Sequence, residues 1–121
     1  MGPEYQKREK ARSSTKVVEA IVSSGDTVSS AADLNGFTVA GLIIPEIDSG
    51  DISFQACDTE DGIFVSLVDT SGTPVAIAAG AGNIAVSDAT LINALAPWRF
   101  IRVVVAAPQA APRVFKFMVK A

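Results

Sequence analysis

The strictest constraint on this chain is alternation. In Arg113–Lys120, Phe115, Phe117 and Val119 fall on one side of a two-residue period, and Val114, Lys116 and Met118 on the other. Successive side chains of a strand point to opposite faces, so this pattern fits a half-buried β-strand and not a helix. Asp51–Cys57 alternates as cleanly, with Ile52, Phe54 and Ala56 opposing Asp51, Ser53, Gln55 and Cys57. The third such segment, Trp98–Val105, sets Trp98, Phe100, Arg102 and Val104 against Arg99, Ile101, Val103 and Val105. Trp98 is expected in the core, because Phe100 and Val104 share its face.

Turn residues punctuate the rest. Lys16–Val22 is β-branched and closed by Ser23–Asp26, which supplies turn chemistry. Asn35-Gly36 offers the positive φ values of a tight hairpin. Phe37–Ile44 follows as an apolar strand expected to be buried on both faces, and Pro45 ends it. Ile63–Asp69, Pro74–Ala78 and Ile84–Val86 read as further strands, with Ser71-Gly72 as a turn between the first two. Asp88 is placed to cap a short helix that runs through Leu95 and stops at Pro97. About eight strands at spacings of roughly 8–14 residues predict an all-β fold, a single jelly-roll-like β-sandwich with one short helix near 88–95. Residues 1–15 read as an extended N-terminal basic arm, and residues 16–121 as the sandwich domain.

Composition bounds what such a domain can do. A chain of 121 residues that is 49 % hydrophobic can build one core. Aromatics reach only 7 %, so that core is made mainly of Ala, Val and Ile and is thin. Small domains compensate with disulfides, metals or assembly. Cys57 is the single cysteine and there is no histidine, so assembly is the route left open. Charge points the same way. Residues 1–16 carry five cations against two acids, +3, whereas residues 17–121 carry five against eleven, −6. A basic arm on an acidic body is expected to reach another acidic surface or the body of a neighbouring copy. No apolar run approaches the roughly 18–20 residues that span a bilayer. Met1–Lys16 lacks the apolar stretch of a signal peptide. The expectation is a soluble protein made in a cytoplasm, with no membrane partner.

A search for chemistry returns little. Without histidine there is no imidazole general base, no Ser or Cys triad built on one, and no imidazole metal ligand. Cys57 is read as a small residue at a strand end rather than a nucleophile. Asp48, Asp51, Asp58, Glu60 and Asp61 are acidic enough to suggest calcium or a glycosidase pair. They lack the twelve-residue calcium pattern and an aromatic sugar platform, so they are read as solvated turns. Gly80–Gly82 is read as a flexible loop, since no phosphate-binding motif surrounds it. The expectation is no catalytic residue, no metal, no cofactor and no enzyme activity. Tyr5, Lys7, Arg8, Lys10 and Arg12 are the candidate partner-binding residues of the arm. Their interruption by acids, and the acidic body behind them, disfavour nucleic acid and favour protein.

Four segments carry a resemblance. They are Ile21–Gly36 (IVSSGDTVSSAADLNG), Phe37–Pro45 (FTVAGLIIP), Ile52–Gln55 (ISFQ) with Asp61–Phe64 (DGIF), and Trp98–Arg102 (WRFIR). From about Val17 onward the chain resembles small β-sandwich virion accessory proteins of tailed bacteriophages, of the capsid decoration or cement type. The resemblance implies a jelly-roll-like sandwich, self-association on the particle and no catalysis. It implies the major capsid protein and further copies of the chain as partners, with trimers at local three-fold axes as one arrangement. It also implies a place on the capsid surface of the virion after synthesis in the host cytoplasm. It carries over no functional residues, because the shared positions are turns and core, and it leaves the arm outside the pattern. A neck, tail or fibre component and a receptor- or glycan-binding module are the alternative functions.

Overall fold

A computed structural model describes residues 15–48, 51–59, 61–78 and 83–120. Its strands are β1 Thr15–Val22, β2 Ala32–Asp33, β3 Thr38–Ile44, β4 Ile52–Cys57, β5 Val65–Ser66, β6 Ala76–Ile77, β7 Ile84–Val86, β8 Phe100–Val105 and β9 Arg113–Lys120. One helix, α1, spans Ala89–Leu95. Sheet A has the order β1-β9-β3-β7, and sheet B the order β2-β8-β4-β5, with β6 also on β4. Every pairing is antiparallel.

The strand order is that of a jelly roll. Strands from the two ends of the chain pair inward in sequence, β1 with β9, β2 with β8, β3 with β7 and β4 with β5. Successive pairs lie in alternate sheets, which is how two Greek keys wrap one core. β5 and β6 are two pieces of one edge strand. Both run antiparallel to β4, with Ser66 opposite Gln55 and Ala76 opposite Ser53. Between them Val68–Pro74 leaves the sheet as a hairpin, and the Val75 N–H returns to the Leu67 carbonyl at 3.0 Å. Asp69 holds the hairpin tip by accepting from the Ser71 and Thr73 N–H groups at 2.8 and 3.0 Å. The strands expected at Ile63–Asp69 and Pro74–Ala78 are these two pieces, and the ninth strand among the described residues is the two-residue β2, which carries no period of its own.

The alternating segments place their apolar sides inward as their periods require. Phe115, Phe117 and Val119 of sheet A face Ile52, Phe54 and Ala56 of sheet B, and all are buried. Phe117 lies in register between Val18 and Leu42, at the centre of sheet A. Leu91 and Leu95 of α1 close one end of the core. Asn35 and Gly36 do adopt positive φ, 46° and 83°, with the Phe37 N–H donating to the Leu34 carbonyl. The turn joins strands of different sheets, so it makes a corner of the sandwich rather than a hairpin.

Several expectations need correction. β3 is buried on one face only, and Ile43 is 38 % exposed because no layer covers the outside of sheet A among the described residues. A β-bulge between Val39 and Gly41 resets its parity, which puts Val39, Leu42 and Ile44 all inward. The strand expected over Ile63–Asp69 is regular only at Val65–Ser66. The side chain of Asp88 makes no capping hydrogen bond; its backbone carbonyl accepts from Ile92 instead. On β8 the inward residues are Ile101, Val103 and Val105, so Phe100, Arg102 and Val104 face out. Trp98 reaches the core from beyond the strand, with its Nε1 donating to the Ala94 carbonyl at 3.1 Å.

One polar knot ties three loops together. Gln109 is 2 % exposed, and its Oε1 accepts from the Asp48 N–H at 2.9 Å and from Arg113 Nε at 3.3 Å. Its Nε2 donates to Ala107, and its carbonyl accepts from the Gly25 N–H. Asp48 completes the knot by accepting from Arg113 Nη2 at 2.7 Å and from the Ala110 N–H. Buried polar groups cost about 1–3 kcal/mol each when left unpaired. Gln109→Ala is therefore expected to destabilise the fold by about 2–3 kcal/mol in urea unfolding. Arg99→Ala, which breaks the half-exposed Asp33 pair, should cost less than about 1 kcal/mol. Phe117→Ala should cost about 3–5 kcal/mol in the same measurement, through transfer and cavity terms.

Candidate interaction surfaces

The acidic residues singled out in the sequence do not converge. β3 and β8 end where β4 and β9 begin, and this end of the sandwich carries Asp26, Glu46, Asp48 and Asp51. Asp58 and Asp61 lie at the opposite end, in the β4–β5 connection. Glu60 lies outside the described residues. Among the described residues no three carboxylate or thiol groups gather as a metal would require. Cys57 is buried, and its thiol donates to the Thr59 carbonyl at 3.1 Å. Gly62 packs so closely on this thiol that a Cβ there would collide with Sγ and with Thr59. Tyr5, Lys7, Arg8, Lys10 and Arg12 also lie outside the described residues, as does the Gly80–Gly82 segment.

What the fold builds is surface. β1 forms one edge of sheet A. Near its end the edge is covered: the Ile21 N–H donates to Ser30 Oγ at 3.0 Å, and the Ser30 N–H donates back to the Ile21 carbonyl at 2.9 Å. In an antiparallel strand alternate residues direct both backbone groups to the same side. Those of Val17 and Glu19 therefore point outward with those of Ile21, away from β9. Among the described residues no strand pairs with this part of the edge. The adjoining outer face of sheet A is apolar for an exposed surface. Val17, Ile21 and Ile43 are exposed on it, Met118 and Val114 lie in register with Val17 and Ile21, and Glu19 and Lys116 cross its middle in register with Ile43.

Sheet B presents a different outer face. Arg102 lies with its guanidinium 4.0 Å from the Phe64 ring centroid and donates from Nη2 to Gln55 Oε1 at 2.6 Å. The buried Nε of Arg102 has no hydrogen-bond partner among the described residues. One row along the same face, Ser53, Ala76 and Val104 form the floor of a groove of about 380 Å³. Thr73 and Pro74 of the inserted hairpin make one wall, and Asp51 lies at the rim. At the far end of the sandwich, in the connection between β4 and β5, Ile63 is 87 % exposed.

Sequence reasoning missed four of these features. Gln109 and Ser29 are polar residues in loop segments, and nothing in their neighbours marks them as buried. Ser29 Oγ accepts from the Val103 N–H at 2.8 Å, which seats residues 27–30 along β8 and frees Ser30 to cap β1. The pairing of Arg102 with Phe64 depends on the β4–β5 connection folding back over sheet B. Ile63 did carry a signal, an isoleucine beside Gly62 in an acidic loop, but the reading placed it inside a strand.

No protein-family model matches this chain, and neither a curated protein nor a solved structure is significantly similar to it.

Proposed function

We propose that this chain is a structural virion protein. On this reading it is a capsid decoration protein that binds and stabilises the major capsid shell through its sandwich edge and N-terminal arm. The observation that carries the reading is the β1 edge. Residues 1–14 run by covalent continuity into Thr15, the first residue of an edge strand whose outward backbone groups at Val17 and Glu19 pair with no described strand. An exposed edge is a template for strand addition, in which backbone hydrogen bonds supply affinity and alternate side chains supply selectivity. Val17 and Ile21 on the adjoining face add apolar area for a partner to cover. A basic segment attached to such an edge can extend the contact across an acidic shell. Many copies at fixed spacing then convert a modest contact into strong overall binding.

Two changes test this reading on particles stripped of the protein and re-saturated with it. Deletion of residues 1–14 removes the arm. Val17→Pro removes one outward N–H and leaves the β1·β9 ladder intact, since proline is tolerated on a strand edge whose N–H faces solvent. Each change is expected to weaken shell binding by about tenfold, roughly 1.4 kcal/mol, in an occupancy titration. Unchanged occupancy for both variants, or absence of the protein from purified heads, overturns the proposal.

A further inference from the structure

We infer that two copies of this chain pair through their β1 edges about a two-fold axis at Val17, joining sheet A of each into one continuous sheet. The outward backbone groups of the edge set the limits. Those of Ile21 are held by Ser30, so the stretch that no described strand pairs takes in Glu19, Val17 and Thr15. An antiparallel pairing centred on Val17 uses this stretch and no more. Val17 then opposes Val17 of the second copy, and Thr15 opposes Glu19 on both sides of the axis, each pair exchanging both backbone hydrogen bonds. Such a contact is isologous, so one patch serves both copies.

The residues of the edge select a second copy and this register. Directly opposed residues share a face, so the pairing carries the outer face of sheet A across the axis. Met118 is in register with Val17, and the middle row becomes Met118–Val17–Val17–Met118, apolar throughout. Val17, 44 % exposed in the single chain, gains an apolar neighbour there. The rows on either side are complementary in charge. Glu19 is in register with Lys116 of its own β9, and Thr15 with Lys120. Each row across the axis therefore reads Lys116–Glu19–Thr15–Lys120, with the last two from the second copy, and Glu19 lies between lysines of both copies. Its backbone stands two strand spacings, about 10 Å, from that of Lys120, a gap that extended glutamate and lysine side chains close. Other axes lose this match. An axis at Lys16 opposes the two Lys16 residues, and one at Val18 sets Glu19 against Val17. An axis at Glu19 opposes two carboxylates and calls on the Ile21 groups that Ser30 already holds. Closing the edge with a second copy also removes a template for uncontrolled strand addition.

This edge is the one proposed to dock on the shell, so the dimer is the form the chain takes before docking, and a shell strand displaces the second copy. Sedimentation velocity on the full chain, without any particle, is expected to show a monomer–dimer equilibrium that stops at the dimer. Glu19→Lys puts like charges in both outer rows and should weaken association by about tenfold. Glu19 is solvent-exposed, and unchanged circular dichroism verifies the fold. Val17→Cys adds a geometric readout. Opposed residues of a hydrogen-bonded pair have Cα atoms about 5.5 Å apart, within disulfide reach, so mild oxidation should give a covalent dimer. Lys116→Cys, exposed on the same face but one strand further from the axis, should not cross-link. A monomeric wild type, assembly beyond the dimer, or a Glu19→Lys chain that dimerises like the wild type overturns the inference. So does cross-linking of Lys116→Cys as readily as Val17→Cys. A monomeric chain that still occupies the shell leaves the proposed function standing. A dimer whose Val17→Pro and truncated variants occupy the shell unchanged does the reverse.

Discussion

The fold depends on β9. Among the described residues it is the only element whose hydrogen bonds hold two other long strands, β1 on one side and β3 on the other. Its inward residues, Phe115, Phe117 and Val119, are the largest apolar contribution of sheet A to the core. The first described strand therefore acquires its ladder only when the last one is in place, and every inner pair of the jelly roll is wound between them. Such a topology defers its reward until distant segments meet, because loop closure costs entropy before the contacts form. The core that meets that cost is not confined to small residues: Phe54, Phe115 and Phe117 are fully buried, together with Leu34, Leu42 and Leu95.

How much of this was legible follows from where the period holds. β9 and β4 alternate without interruption, and their inward faces are those the sequence indicates. β3 carries the same physics, but the bulge at Val39/Gly41 shifts its phase by one residue. An apolar run spanning that shift reads as buried on both sides when half of it is not. β5 and β6 show the opposite failure. An insertion of Val68–Pro74 breaks one edge strand into fragments too short to show a period. On β8 the alternation was correct and its polarity was inverted. Phe100 faces outward yet is buried, with the Arg99 guanidinium over its ring, so an aromatic residue on the outer face made that face look like the core face.

The surface was less legible than the core, for a physical reason. A core residue is constrained by its own strand, whereas a surface site is defined by which segments the topology brings together. Gln109 binds loops near residues 25, 48 and 113, and no local pattern links those positions. The basic arm and acidic body were evident as counts. Their arrangement was not, because only the direction of β1 relative to the β3–β4 and β8–β9 loops shows that the arm joins the end away from Asp48.

That polarity is where fold and function meet. A sandwich with equivalent ends would offer a neighbour no preferred direction. Here the Gln109–Asp48–Arg113 knot fixes three loops at one end. At the other end α1 seals the core with Leu91 and Leu95, and the β4–β5 connection is fastened by the Cys57 thiol and by Phe64 on Arg102. Between these two fastenings Ile63 is left exposed.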